Sequence, residues 1–198
     1  MKVIETSRLA LRLISLDDLE NIHRLLYADP EVAVPWVGHV QSLQEVSAPN
    51  GVLTRIARAP DEPGLLAVER AVDYAMVGVA GILPVRRAAD RARFAPASPA
   101  DVPGALEGRV EGELVVALGR AHWNRGYATE AATAVVGMGF TSLGFTRIIA
   151  SLGATNDRGA KLLRRLGFRV EANQRPDPDM GSRVPGVVGF LDAAVRRS

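Results

Sequence analysis

The middle of the chain carries the segment Trp123-Asn124-Arg125-Gly126-Tyr127-Ala128-Thr129-Glu130-Ala131, between a predicted strand and a predicted helix. The strand is the aliphatic run at residues 113–118. The helix is indicated by small and apolar side chains at helical spacing: Ala128, Ala131, Ala132, Val135, Val136, Phe140 and Leu143. The first backbone N–H groups of a helix have no intrahelical partner, and the helix dipole adds partial positive charge there. The junction therefore predicts an anion site.

Four residues around this junction suit a phosphate group. Gly126 has no side chain where a phosphate would approach the backbone, and Ala128 keeps the first helical turn open. Arg120 and Arg125 add positive charge at the rim. The alternative interpretation is an ordinary strand-to-helix connection that starts with a glycine.

Residues 125–131 resemble the pyrophosphate-binding signature of the GNAT superfamily of acyl-CoA-dependent N-acyltransferases. The superfamily pattern is Arg/Gln-x-x-Gly-x-Gly/Ala, and its last four positions match Arg125-Gly126-Tyr127-Ala128. Its first position falls on Trp123, which departs from the pattern. A Trp there, followed by Gly-Tyr-Ala-Thr-Glu-Ala, is similar to the branch that contains the ribosomal-protein N-terminal alanine and serine acetyltransferases.

Two further segments resemble the same enzymes. Near the N-terminus, Thr-x-Arg-Leu-x-Leu-Arg at residues 6–12 is followed by Asp-Asp-Leu and by Asp-Pro-Glu-Val. Residues 156–168 resemble the second conserved GNAT block, in which an Asn contacts the pantetheine arm, here Asn156. Two positions of this block depart from the family: Gly159 replaces the usual Ser of the branch, and Leu163 replaces the Tyr that protonates the departing thiolate in many GNAT enzymes.

The amino-acid composition limits the classes of protein to which the chain can belong. The 198 residues are 47% hydrophobic, so we expect one domain over residues 1–198. Cysteine is absent and the three histidines, His23, His39 and His122, lack ligand spacing, so we expect no disulfide and no metal site. No apolar run reaches the roughly 18 residues needed to span a membrane. The N-terminus also lacks a secretory signal, and a cytoplasmic protein without a membrane partner is expected.

The charge pattern does not favour a nucleic acid as partner. The formal net charge is only +2, although the isoelectric point is about 9.4. Almost all cations are arginines, since Lys2 and Lys161 are the only lysines. No basic stripe interleaved with aromatic residues accompanies them.

The remaining periodicities complete the predicted order of elements. Strands are predicted at residues 6–14, 65–70, 74–85, 147–152 and 187–191, and helices at 19–26, 40–46, 52–58 and 156–168. A helix stop is predicted at Asp29-Pro30, a hairpin at 65–85 with a bulge or close backbone contact at Gly78 and Gly81, and loops at 86–109 and 174–185. The fold class is α/β (α+β), a mixed, mostly antiparallel sheet flanked by helices, as in the GNAT fold.

The resemblance implies acetyl-CoA as co-substrate and an amine as acceptor. The residues that it assigns to acetyl-CoA are Val116, Ala117, Leu118, Arg120, Trp123, Asn124, Arg125, Gly126, Tyr127, Ala128, Thr129, Asn156 and Arg158. Trp36 is a candidate for the acceptor pocket, and the alternative is that it fills the core under a loop. A homodimer, if one forms, is expected to use the last strands. The 86–109 loop is either solvated or a lid that contributes an Arg.

Amine acylation needs a base, oxyanion donors and a proton or dipole for the thiolate. Glu113 is the candidate base, acting through water, and Glu111 is a weaker candidate; a plain edge carboxylate is the alternative for Glu113. Glu130 in the first helical turn is expected to be a structural cap. His122 could assist but is expected to be exposed. Without a convincing acid, positioning of the amine would carry most of the catalysis.

Three functions are compared. The first is an acetyl-CoA-dependent N-acetyltransferase acting on a protein N-terminus or a small amine. The second is a GNAT-like module that binds acyl-CoA without turnover as a sensor, and Gly159 and Leu163 keep it open. The third, a nucleic-acid-binding module, lacks the basic and aromatic cluster that it would need. Few carboxylates stand between residues 32 and 63, which argues against a polycationic acceptor.

Overall fold

The computed structural model describes residues 3–48, 54, 64–85, 110–173 and 186–193. The predicted loops at 86–109 and 174–185 lie outside the described residues, as does most of the predicted helix at 52–58. None of the helices in the described ranges is both long and apolar enough to cross a bilayer.

The described strands form one mixed sheet. They are β1 (Ile4–Glu5), β2 (Leu9–Leu13), β3 (Leu65–Arg70), β4 (Met76–Pro84), β5 (Glu111–Leu118), β6 (Arg147–Leu152), β7 (Arg169–Ala172) and β8 (Val187–Asp192). Their order in the sheet is β1-β2-β3-β4-β5-β6-β8-β7. Neighbouring strands pair antiparallel except β5 and β6, which are parallel. The predicted mixed, mostly antiparallel sheet is confirmed.

Helices cover both faces of this sheet. They are α1 (Leu19–Ile22, continued by a π-helical turn at His23–Tyr27), α2 (Pro30–Val37), α3 (Leu43–Val46), α4 (Tyr127–Thr141) and α5 (Asp157–Arg165). Helices α4 and α5 pack on one face, where Val135 and Leu163 belong to the same apolar cluster as Leu114 of β5. Helices α1 to α3 pack on the other face, where Ile22 and Val32 join one apolar cluster. Burial of each such side chain contributes about 1.5–3 kcal/mol.

Three of the helices and strands named above were not predicted from the sequence: β1, α2 and β7. The predicted helix stop at Asp29-Pro30 is confirmed, since the π-helical turn ends at Tyr27, but Pro30 also begins α2, which was not predicted. The Asp29 side chain accepts a hydrogen bond from the Glu31 N–H at 3.0 Å, and proline suits the first helical position because its missing N–H would have no partner there.

The sheet divides between β5 and β6. Their pairing begins at Glu111 opposite Arg147 and ends at Glu113 opposite Ile149. Beyond this point β5 continues beside β4, with Leu118 still opposite Gly78, while β6 continues beside β8. The two strands therefore separate into a fork, and after Glu113 one edge of β5 has no neighbour among the described strands.

Glycines let β4 approach its neighbours closely, as predicted for Gly78 and Gly81. A Cβ atom on Gly81 would overlap the carbonyl oxygen of Gly64 and lie 2.7 Å from the Leu65 Cα. A Cβ atom on Gly78 would overlap the carbonyl oxygen of Ala117. The predicted close backbone contact is confirmed at both positions.

Gly81→Ala should therefore lower the free energy of unfolding by about 2–3 kcal/mol, because backbone atoms on β3 cannot move aside cheaply. Urea unfolding measures the change. Gly144→Ala is the control, because a Cβ atom at this position meets open space. The expected cost is about 1 kcal/mol and comes only from placing an alanine in the left-handed conformation, with φ of +70°. An equal loss in both variants would contradict the packing explanation.

Candidate active site

A cleft of about 910 Å³ crosses the sheet at the fork. The part beside α1 and α2, which we call the aromatic half, is lined by Tyr27, Val32, Trp36, Leu65, Leu83 and Glu113. The part at the starts of α4 and α5, which we call the anion half, is lined by Gly126, Tyr127, Ala128, Thr129, Asn156 and Arg158. The splayed strand β5 runs between the two halves.

The anion half is built on the N-terminus of α4. Asn124 and Gly126 both take left-handed backbone conformations, with φ of +58° and +81°, and these turn the chain into the helix. The first helical hydrogen bond is donated by the Glu130 N–H to the Gly126 carbonyl oxygen at 3.1 Å. The N–H groups of residues 127–129 therefore have no intrahelical partner and lie at the cleft, which is the arrangement that binds an anion.

Trp123 ties the loop before α4 to its surroundings. Its indole Nε1–H donates to the Leu118 carbonyl oxygen at 2.8 Å. The guanidinium carbon of Arg158 lies 4.3 Å above the centre of its ring, a cation–π contact that joins the loop to α5. Where the superfamily pattern has Arg or Gln, this chain thus places an aromatic residue that connects β5 and α5 through the loop.

The Glu130 side chain does not cap α4, so the predicted helix cap is wrong. Its role is still structural, because it binds the N-terminal segment instead. Its carboxylate accepts hydrogen bonds from the Thr6 hydroxyl at 2.6 Å and from the backbone N–H of Arg8 at 2.8 Å. The Arg8 guanidinium pairs with it at 2.6 Å and also donates to the Arg125 carbonyl oxygen at 2.9 Å. The N-terminal segment therefore anchors the loop that begins α4.

These contacts change the pKa of Glu130. Partial burial opposes ionisation, but hydrogen bonds from Thr6, Arg8 and Ser7 outweigh it and hold the pKa below its ordinary value of 4.5. The carboxylate thus stabilises the fold fully above pH 4.5, and this contribution is lost as the pH falls through the folded-state pKa.

Glu130→Gln should lower the free energy of unfolding at pH 7 by about 1–2 kcal/mol, because amide contacts replace charged ones. The difference from the unchanged protein should shrink as the pH falls below 4.5, since the carboxylate is then protonated. Urea unfolding at several pH values measures it, with the exposed Glu20→Gln as control. A difference that does not change with pH would contradict the ionic explanation.

Glu113 lies at the base of the fork. It occupies the last parallel pair, opposite Ile149, and pairs across with Leu83 of β4. It is 7% exposed and lines the cleft on the face of α1 and α2. Glu111 is also buried but is not among the described residues that line the cleft. Of the two candidate bases, Glu113 is therefore the one that lines the cleft.

His122 lines the cleft and is half-buried, so the prediction of an exposed histidine is wrong. Its burial lowers its pKa below the ordinary value of 6.5, and the positive charges of Arg70 and Arg125 lower it further. The ring is therefore mainly neutral at pH 7.

A family model described as an acetyltransferase (GNAT) domain matches residues 8–169. The chain belongs to the GNAT acetyltransferase family. The resemblance stated from the sequence is thereby confirmed, and so is the expectation of an acetyltransferase.

Three proteins illustrate what the GNAT domain is similar to. The uncharacterized N-acetyltransferase YoaA of Bacillus subtilis (strain 168) is 25% identical over 170 residues, 85% of this chain and 84% of that protein. The uncharacterized N-acetyltransferase p20 of Bacillus licheniformis is 42% identical over 59 residues, so the match spans 30% of this chain and only a third (33%) of that protein. The structure of RimL, a ribosomal L7/L12 α-N-protein acetyltransferase in complex with coenzyme A, has a TM-score of 0.67 at 12% identity and covers 96% of this chain and 98% of its own.

The cleft of the GNAT domain gathers most of the residues singled out from the sequence. The predicted residues that line it are Trp36, Glu113, Val116, Ala117, Leu118, Trp123, Asn124, Gly126, Tyr127, Ala128, Thr129, Asn156 and Arg158. Arg120 and Arg125 are not among the described lining residues. Arg120 instead pairs with Glu31 of α2 at 3.5 Å, and Arg125 offers its carbonyl oxygen to Arg8.

The two departures from the family in the second block, Gly159 and Leu163, both lie at packed positions. The Asn156 side chain caps α5 by accepting a hydrogen bond from the Gly159 N–H at 2.9 Å. A Cβ atom on Gly159 would lie 2.8 Å from a Leu152 methyl group, so a serine here would require the Leu152 side chain to shift. Leu163 is buried in the core with Phe168. Neither position supplies a proton donor.

Tyr27 is one of several residues of the GNAT cleft that were not singled out in the sequence. Tyr27 is 2% exposed, lines the aromatic half, and its ring centre lies 5.0 Å from that of Trp36. Burial raises the pKa of its hydroxyl. Its position eight residues after Leu19 agrees with helical spacing and was the available signal. Within the described part of the chain, no three His, Asp or Glu side chains gather as a metal site.

Proposed function

We propose that the protein transfers the acetyl group of acetyl-CoA to a primary amine, either a protein N-terminus or a small molecule, by direct attack in a ternary complex. The observation that carries this is the fork between β5 and β6 with the N-terminus of α4 opening into it. Enzymes of the GNAT family use acetyl-CoA, and the similar fold of RimL is described in complex with coenzyme A.

The residues present fit such a co-substrate. The backbone N–H groups of Tyr127, Ala128 and Thr129 would bind the pyrophosphate, because they lack intrahelical partners and face the cleft. The edge of β5 at residues 116–118, which β6 does not cover, would offer backbone groups to the pantetheine arm. Asn156 lies on the opposite side of the same cleft, at the start of α5.

Glu113 is the base in this proposal. The amine must lose a proton before its nitrogen can attack the thioester carbon, and a carboxylate at the base of the fork can accept that proton directly or through water. The C–N bond then forms as the C–S bond breaks, and the thiolate takes its proton from solvent or from the attacking nitrogen, because Gly159 and Leu163 have none to give. Positioning of the amine in the fork supplies the rest of the rate enhancement.

The second candidate is a GNAT domain that binds acyl-CoA without turnover. It is favoured by the lack of a proton donor at Gly159 and Leu163. The two candidates share the anion half and differ in whether the aromatic half admits an amine beside Glu113.

Isothermal titration of the purified protein with acetyl-CoA tests the shared step, and release of free thiol in the presence of amines tests turnover. Peptides beginning with Ala or Ser and small primary amines are the acceptors. Micromolar binding with thiol release supports the enzyme, whereas binding without release for every amine supports the sensor. Absence of binding would overturn both.

A further inference from the structure

We propose that the aromatic half accepts an amine that has a single positive charge and is attached to an apolar or aromatic group. This inference rests on the proposed acetyl transfer and names its acceptor class. An arylalkylamine and a peptide with a bulky apolar first residue share this chemistry, whereas polyamines and aminoglycosides do not.

The described walls of the aromatic half are mainly apolar. Tyr27 and Trp36 present two rings at 5.0 Å with their planes tilted by 46°, and Tyr27 is almost fully buried. Leu65 and Leu83 of the sheet lie beneath them in the same cluster. Aromatic walls of this kind bind apolar and aromatic groups, because these groups leave water on binding and pack against the ring faces and edges.

The charges of this half favour one ammonium group. The described residues that line the cleft include three carboxylates: Glu31 and Glu113 on the side of α1 and α2, and Asp157 at the start of α5. Glu31 lies at the rim, where it is exposed to water and pairs with Arg120 at 3.5 Å. Glu113 is the carboxylate that lies inside, at the fork where the reacting nitrogen has to be. A second ammonium group brought between the described apolar walls would lose its hydration, and the described lining residues of this half offer it no further carboxylate inside the cleft, so its burial is costly.

A panel of acceptors tests this with saturating acetyl-CoA and thiol release as the readout. 2-Phenylethylamine should exceed ethylamine in kcat/KM by roughly tenfold or more, since the walls bind its ring. Butylamine should exceed putrescine, which differs by one added amino group, by a similar factor. A peptide beginning with Phe, compared with 2-phenylethylamine, shows whether the acceptor is a peptide N-terminus or a free amine, and a peptide beginning with Asp should be a poorer acceptor than the one beginning with Phe.

A Trp36→Leu variant connects the preference to the cleft. The ratio of kcat/KM for 2-phenylethylamine to that for ethylamine should fall by roughly tenfold, because one aromatic wall is lost. This ratio is measured within one variant and so does not depend on the fraction folded. Val34→Ala on the same helix is the control, since Val34 is 49% exposed and does not line the cleft.

The outcomes separate this inference from the proposed function. Absence of acetyl-CoA binding, or of thiol release with every amine, overturns the proposed function and the inference together. Turnover in which putrescine equals or exceeds butylamine, or ethylamine equals 2-phenylethylamine, overturns the inference alone. An unchanged ratio in Trp36→Leu also overturns it, because the preference would then arise elsewhere.

Discussion

Replacing Gly126 by glutamate should lower the affinity for acetyl-CoA by about 100-fold or more, since the added carboxylate repels the pyrophosphate and occupies its space. Gly126 begins α4 and lies directly before the three N–H groups that open into the cleft. A side chain there also meets the Arg8 guanidinium, which would lie 3.1 Å from the new Cβ atom. The loss should appear as a change in Kd by isothermal titration.

A matched control exists in the same molecule. Gly144 has a left-handed φ of +70°, close to the +81° of Gly126, and a Cβ there meets nothing within 4 Å. Gly144→Glu therefore introduces the same charge and a similar backbone strain beyond the C-terminal end of α4, away from the cleft. If both variants bind acetyl-CoA as the unchanged protein does, the helix start is not the pyrophosphate site. If both lose binding equally, the loss comes from strain and not from the site.

Glu113→Gln should lower kcat by about 10²–10⁴-fold, because an amide of the same shape cannot accept the proton of the amine. The Kd for acetyl-CoA should stay unchanged, since Glu113 lies in the aromatic half and not among the groups proposed to bind the co-substrate. Steady-state kinetics with the best acceptor of the panel, together with titration calorimetry, separates the two effects.

Glu111→Gln is the control for this change. Glu111 stands two residues earlier on β5, is similarly buried, and does not line the cleft. If Glu113 were only a structural carboxylate, Glu113→Gln and Glu111→Gln would show similar kinetics and similar losses of stability. A kcat that is unchanged in Glu113→Gln would mean that solvent or another group takes the proton.

The sequence predicted those parts of the fold that are marked by local patterns. Strand β5, helix α4 and the turn at Gly126 were predictable because an aliphatic run, a glycine and a helical spacing succeed one another within a short segment. The same holds for α5, where Asn156 begins the helix and Gly167 ends it.

Features that depend on distant contacts were not predictable in the same way. Pro30 is equally compatible with the end of one helix and the start of the next, and only the packing of Val32 against α1 distinguishes them. Strand β7 is short, carries charged residues and pairs with β8. Helical spacing places Tyr27 on the apolar face of its helix, but its depth in the cleft and the contact of Arg158 with Trp123 result from tertiary packing.

The anchoring of the α4 loop by the N-terminal segment has a consequence for folding kinetics. Thr6 and Arg8 contact Glu130 across 122–124 residues of sequence, so the closure of a very long loop has to precede these bonds. Contacts of such high sequence separation form slowly compared with local helical turns. The helix can therefore form early, while the rigid shape of its first turn requires the N-terminal segment to reach it. Recovery of co-substrate affinity should accordingly lag behind recovery of helical signal during refolding.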